Sequence, residues 1–226
     1  MRFPHTPYFS YSPNIDKISG LEKVQGLYLD GSSFIRKPTI LTIKMDGSNV
    51  CLETDSVKVR NGLCAEHPSF DYLKAIHAEK IKKKLKSNLK IFGEWLYAKH
   101  SIHYTEDLAL DDYLQVFQVY DIKRKVFWGW DDVQWICDKF GLSTVPELCE
   151  VHANTAYELK NIITEIGGDV INSGHEGVVL RTDEECMGIG PYNVLKNAVK
   201  YVRPNHVSSE VHWMAQKQVR NNLRPD

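Results

Sequence analysis

The chain has 226 residues, a formal net charge of -1 from 28 Lys and Arg against 29 Asp and Glu, and 42% hydrophobic residues, enough apolar material for one large domain or two small ones. Near-neutrality excludes capture of a polyanion by bulk charge, so any nucleic-acid contact must come from a local basic patch. Five widely spaced cysteines, Cys51, Cys64, Cys137, Cys149 and Cys186, with no C-x-x-C pair, argue against a disulfide framework or zinc knuckle and for a reducing cytoplasm; no run approaches the ~18 apolar residues of a membrane span.

Pro4, Pro7 and Pro13 predict an extended arm over residues 1–14 that packs along the surface. Residues 39–44 and 49–53 read as strands on either side of an Asp-Gly turn, and 57–60 as a third before Asn61-Gly62. The apolar spacing of Phe70, Leu73, Ile76, His77 and Ile81 predicts a helix over 69–85 that ends in a basic run from Lys80 to Lys86, read as a solvated face rather than a phosphate site. Strands are expected at 90–95, 114–120 and 125–128. A helix over 131–140 closes at Gly141, and a second, capped by Asn154 and carrying Leu159, Ile162, Ile163 and Ile166 on one face, ends at Gly167-Gly168. Strands return at 177–181 and around 194–202, and a last helix is expected over 208–219. Strand runs interspersed with helices, without strict alternation, indicate an α+β fold of mostly antiparallel sheets with flanking helices, in one domain; a groove between two sheets would suit a nucleotide.

Directly after the first β-branched run come Lys44, Asp46, Gly47 and Asn49, spaced K-x-D-G-x-N. Taken alone, this reads first as an ordinary β-turn with a solvent-facing lysine. FGEW, VFQVYDI, EGVVLR and VLKNAVKYVR follow in that order. The set, spread from about Pro7 to Trp213, resembles the nucleotidyltransferase motifs of the covalent ligase and capping-enzyme superfamily, and specifically its ATP-dependent RNA ligase branch.

That resemblance implies a stand-alone adenylyltransferase domain, ATP-grasp-like in fold, in which Lys44 attacks the α-phosphate of ATP and carries AMP to RNA ends bearing a 5′-phosphate and a 3′-hydroxyl, an RNA-repair chemistry. An ordinary lysine is protonated at neutral pH, so the nucleophile needs nearby cations, and Lys196, Lys200 and a divalent metal are the candidates. Lys200 is the choice for the lysine that holds the α-phosphate, with Lys196 the alternative. Glu176 matches the acidic residue at the lysine and metal site, where Mg2+ or Mn2+ would keep most of its waters. Glu94 corresponds to a ribose-binding carboxylate, Phe117 to the aromatic that stacks on adenine, with a core aromatic as the rival reading, and Arg60 to a phosphate-binding arginine. Ile43, Asp46 and Gly47 complete the nucleotide-binding set. Tyr120, an odd number of strand positions from Phe117, is expected on the opposite face. Asn49, where related DNA ligases carry Arg, favours RNA. His100 and His103 read as packing or hydrogen-bonding residues rather than metal ligands.

The residues after Arg203 are too few for the oligonucleotide-binding barrel of DNA ligases and capping enzymes, so RNA would be bound by the domain's own surface or with an accessory protein. The alternatives are a DNA ligase, a capping-type nucleotidyltransferase, or a nucleotide- or nucleic-acid-binding module without ligation.

Overall fold

A computed structural model describes residues 2–13, 28–105, 108–187, 194–204 and 218–225. In chain order the strands are β1 (Tyr8–Phe9), β2 (Tyr28–Leu29), β3 (Thr39–Ile43), β4 (Ser48–Leu52), β5 (Val57–Val59), β6 (Leu89–Trp95), β7 (Leu114–Asp121), β8 (Val126–Phe127), β9 (Ser143–Thr144), β10 (Glu147–Val151), β11 (Gly177–Thr182), β12 (Cys186–Met187) and β13 (Ala198–Val202). The α-helices are α1 (Asp71–Ile76), α2 (Trp130–Phe140) and α3 (Ala156–Asn172). The chain divides into two compact units: a central one of Asp46–Val145 with Met1–Phe3 and Ser209–Asp226, and a flanking one of Pro4–Met45 with Pro146–Ser208. The fold is α+β. The helix expected over 208–219 lies, up to residue 217, outside the described residues.

The flanking unit is a six-stranded sheet in the order β10-β3-β11-β13-β1-β2, antiparallel except that β1 runs parallel to both of its neighbours. Alternation along the strands sends Phe9, Leu41, Val178, Leu180, Val199 and Tyr201 to one face, where α3 covers them with Leu159, Ile163 and Val170. The proline-rich arm therefore does more than lie on the surface: Tyr8 and Phe9 are buried inside the sheet.

Helix α3 departs from expectation at both ends. Its cap is Thr155 rather than Asn154: the Thr155 hydroxyl accepts from the Glu158 N–H at 3.1 Å, while the Glu158 carboxylate accepts from the Asn154 N–H at 2.8 Å. The helix also runs through Gly167-Gly168 to Asn172. Packing accounts for this, because a Cβ on Gly167 would stand 2.4 Å from the Tyr201 ring. Close approach of helix to sheet outweighs the poor helix propensity of glycine.

In the central unit β8, β7, β6, β4 and β5 pair antiparallel in that order, with β9 parallel beside β7. Helix α2, ending at Gly141 as expected, buries Trp130, Val133, Ile136, Cys137 and Phe140. The helix predicted over 69–85 is broken up. A 3-10 turn over Pro68–Phe70 leads into α1, and a π-turn over His77–Ile81 follows, closed by the Lys82 N–H on the His77 carbonyl at 2.8 Å. His77 Nε2 lies 2.6 Å from the Glu53 carbonyl, which ties the widened turn to the end of β4.

The segment 218–225 also belongs here. Asn221 is buried; its amide donates to the Leu96 carbonyl at 2.7 Å and accepts from the Tyr104 N–H at 3.0 Å, and the Tyr113 hydroxyl donates to its carbonyl at 2.9 Å. All five cysteines are free, and no helix among the described residues is long and apolar enough to cross a membrane.

Glu53 binds three strands together. Its carboxylate pairs with Lys58 of β5 at 2.7 Å and with Lys90 of β6. Burial pushes this carboxyl up, but hydrogen bonds and charge from Lys58 and Lys90 outweigh burial and hold it at about 2, from 4.5. A carboxyl depressed in the folded state stabilises fully above its unfolded pKa, and the contribution is lost as pH falls through the folded value.

Two outcomes are expected in urea titrations. Gly167→Ala destabilises by about 1–3 kcal/mol through overpacking against Tyr201. Gly168→Ala, whose Cβ meets nothing within 4 Å, stabilises by about 0.5–1 kcal/mol through helix propensity and reduced freedom of the unfolded chain. Equal signs for the two would refute the packing account. Separately, Glu53→Gln lowers stability at neutral pH and flattens its decline between the unfolded value of 4.5 and about 2; a mutant that keeps the wild-type acid slope would remove Glu53 as its source.

Candidate active site

Lys44 follows directly on β3 and continues its ladder, its N–H donating to the Gly177 carbonyl at 2.8 Å. Its amine donates to the Glu176 carboxylate at 2.8 Å, with side-chain exposures of 24% for Lys44 and 5% for Glu176. Gly177 fixes where that carboxylate sits. Its φ is +147°, and a Cβ there would lie 2.1 Å from the Tyr201 carbonyl, so only glycine lets β11 begin flush against β13 with Glu176 at its entry.

Lys200 stands opposite Val179, and Val179 opposite Thr42, in one row across β13, β11 and β3. Alternation puts Lys200, Thr42 and Lys44 on one face, away from α3. Lys196 lies before β13 and is exposed. Ile43 shares the parity of Leu41 and so faces the α3 side, opposite to Lys44. Arg181, two positions from Val179, is buried on the lysine face, and its guanidinium donates to the Thr42 hydroxyl at 3.1 Å. Desolvation lowers the Arg181 pKa to about 10, against the opposing pull of Glu147, so the group stays cationic.

Sequence reasoning passed over Arg181. A buried arginine leaves no signal in a run such as VVLR, which reads as a strand end.

The K-x-D-G run crosses from one unit to the other: Lys44 and Met45 close a segment of the flanking unit, and Asp46 opens the central one. Asp46 holds a loop. One carboxylate oxygen accepts from the Ser101 N–H and hydroxyl, each at 2.8 Å, and from the Ile102 N–H at 2.7 Å. The Asp46 N–H donates to the Tyr104 hydroxyl at 2.9 Å. Gly47 donates its N–H to the Glu94 carboxylate at 3.2 Å, and a Cβ on it would stand 2.6 Å from the Trp95 carbonyl.

Asn49, Glu94 and Gln115 face one another across β4, β6 and β7. Glu94 is half-buried and next to this turn, its carboxylate accepting from the Gly47 N–H while its backbone stays in the sheet. Phe117 sits at a register shift where Phe92 and Gly93 oppose Gln118 and Val116. The bulge overturns the expected alternation. Phe117 packs edge-on to Phe3 at 5.0 Å, Phe3 is 5.9 Å from Phe127, and Phe127 is 4.7 Å from Tyr120, so Phe117 and Tyr120 share a face. Arg60 is exposed in the turn after β5. His100 Nε2 lies 3.2 Å from the Ser48 hydroxyl and His103 Nε2 3.3 Å from the Arg220 carbonyl, two separate contacts.

The lysine face thus carries an amine in contact with a buried carboxylate, with two further cations in the same sheet. Such a set suits an attack on a phosphate anion. Among the described residues no three His, Cys, Asp or Glu side chains form a metal-binding group. The donor set fits Mg2+ or Mn2+ held by one carboxylate, with waters and nucleotide phosphates supplying the other oxygens.

Comparison with known proteins gives the affiliation. The RNA ligase family model matches residues 37–202. Among solved structures, an archaeal ATP-dependent RNA ligase is 17% identical with a TM-score of 0.53, over 77% of this chain and 45% of that one. A lysine-to-alanine form of Naegleria gruberi RNA ligase with ATP and Mn is 20% identical with a TM-score of 0.52, over 74% and 50%. A putative ATP-dependent DNA ligase from Aquifex aeolicus is 19% identical with a TM-score of 0.51, over 75% and 45%. At such identities the likeness is one of fold, and the chain spans about half the length of these structures. A search of curated proteins finds no match. With the family model matched from β3 to the end of β13, well over half of its length, the chain belongs to the RNA ligase family.

Proposed function

We propose that this protein is an ATP-dependent RNA ligase that forms a lysyl-AMP intermediate on Lys44. The observation that carries the reading is the 2.8 Å contact between the Lys44 amine and the buried Glu176 carboxylate, on the sheet face that also bears Lys200.

In the resting protein the contact favours a charged amine, which cannot attack. Lys44 therefore gives one proton to solvent before its nitrogen bonds to the α-phosphorus of ATP, and a second as the phosphoramidate forms. The bond from that phosphorus to the bridging oxygen breaks, and pyrophosphate leaves with both electrons of the broken bond. Lys200 and Arg181 contribute positive charge that opposes reprotonation of the amine and balances charge building on the phosphoryl oxygens. Glu176 would hold a divalent metal, which when bound would supply positive charge to the phosphates. Glu94 accepts from the ribose hydroxyls, Phe117 lies along adenine, and Asn49 and Arg60 approach the phosphates.

An RNA 5′-phosphate oxygen next attacks the AMP phosphorus, the P–N bond breaks, and the Lys44 nitrogen takes up two protons from solvent to become the ammonium again. A 3′-hydroxyl, losing its proton, then attacks the 5′-phosphorus and expels AMP. AMP is transferred twice and the RNA 5′-phosphoryl group once, and no oxidant or reductant is consumed.

DNA sealing is the second reading, since the fold, shared with a putative ATP-dependent DNA ligase at a TM-score of 0.51, does not separate the two. Asn49 in place of arginine supports RNA.

The test uses purified protein, Mg2+ and each α-labelled nucleoside triphosphate in turn. Label from ATP should remain on the denatured wild type and fall to background in Lys44→Ala. Undiminished label on Lys44→Ala would sink the assignment of the nucleophile, and label from GTP instead of ATP would point to capping chemistry. Nicked RNA and nicked DNA duplexes, supplied to the adenylylated protein, separate the two ligase readings.

A further inference from the structure

Lys200 is held by a part of the chain that lies outside the family match. The match begins at residue 37, yet β1 pairs Tyr8 directly with Lys200. The Lys200 N–H donates to the Pro7 carbonyl at 2.9 Å, and the Ser12 hydroxyl donates to the Lys200 carbonyl at 3.3 Å. Both backbone groups of the lysine are thus fixed by residues 7–12. The side chain is fixed as well: its ammonium lies over the Tyr8 ring, 3.8 Å from the centroid. Tyr8 is only 3% exposed and its ring stands 6.0 Å from that of Tyr28, so the surface under the ammonium is rigid.

An aromatic face attracts a cation through its quadrupole, and the attraction grows when water is excluded. It also has no affinity for a neutral amine. A lysine has four rotatable side-chain bonds, and a ring under the ammonium limits where it can reach without cancelling its charge.

We propose that Tyr8 is a positioning residue for Lys200: its ring keeps the ammonium charged and oriented for the α-phosphate, making the N-terminal strand part of the adenylylation apparatus. This rests on the reading of Lys200 as the lysine that holds that phosphate.

Replacing Tyr8 by Phe, and then by Phe carrying one, two and three ring fluorines, drains the ring face of negative potential while nearly preserving its shape. Single-turnover adenylylation of Lys44 at saturating ATP is followed, with thermal midpoints measured in parallel. Tyr8→Phe should retain the wild-type rate within about threefold, and the trifluoro ring should lower the rate by about tenfold in graded steps, with midpoints constant across the series. A rate that is flat across the series overturns the proposal. So does a rate that falls only in step with the thermal midpoint, which would mark packing alone. Failure of the wild type to take label from ATP instead removes the functional reading on which the proposal stands, a result distinct from a labelled but flat series.

Discussion

A carboxylate buried as deeply as that of Glu176 has to be compensated, and the Lys44 amine at 2.8 Å contributes to that compensation. The ion pair joins the residue after β3 to the residue before β11 and so sets how two strands from distant parts of the chain begin their pairing. Removing one member of a fully buried pair costs about 3–5 kcal/mol, and the partial exposure of Lys44 places this pair below that range. The same contact opposes the proposed chemistry, since an amine tied to a carboxylate keeps its proton. In the proposed reaction ligand binding therefore supplies what the resting contact withholds, and the charged substrate itself exposes the nucleophile.

Everything around the pair serves to keep that face of the sheet polar and its back apolar. Helix α3 covers the back so closely that Gly167 is required, and the front collects Lys44, Arg181 and Lys200 with Thr42 between them. Three cations on one sheet face would repel one another in the absence of counter-charge. Glu176 and Glu147, acting on Lys44 and Arg181 respectively, supply it from within the same unit. The central unit handles its turn differently: Asp46 is committed to three donors of the 101–102 loop, so the turn after Lys44 is rigid through its own side chain.

What the sequence disclosed follows from the length of the signal. Strands β6, β7 and β11 and helix α2 have enough periodic residues to announce themselves, and their bounds agree with expectation to within a residue or two. Strands of two residues, such as β1, β2 and β9, have no periodicity, and exist because a neighbour offers a free edge. The segment 69–85 has helical spacing throughout, but the tie from His77 to the Glu53 carbonyl widens the turn at its middle, a long-range constraint that no local pattern encodes. Likewise the face on which Phe117 lies depends on one unpaired residue in β7. That Glu176 meets Lys44 rested on the order of the motifs, because the two residues are 132 positions apart. Nothing near Tyr8 in the sequence indicates a lysine partner.

The position of Asn221 carries a consequence for how the molecule is made. Its side chain satisfies the buried Leu96 carbonyl and Tyr104 amide, the latter 117 residues earlier. On the ribosome, residues 46–145 emerge long before residue 221 exists. During that interval the nascent central unit lacks those partners, so its completion is post-translational, and contacts of such sequence separation slow the search for the native pairing. The first strand of the flanking unit waits in the same way for β13. A newly synthesised molecule thus spends its elongation period with both units unfinished, which makes the nascent state, more than the mature one, the stage at which it is exposed to aggregation and to chaperones.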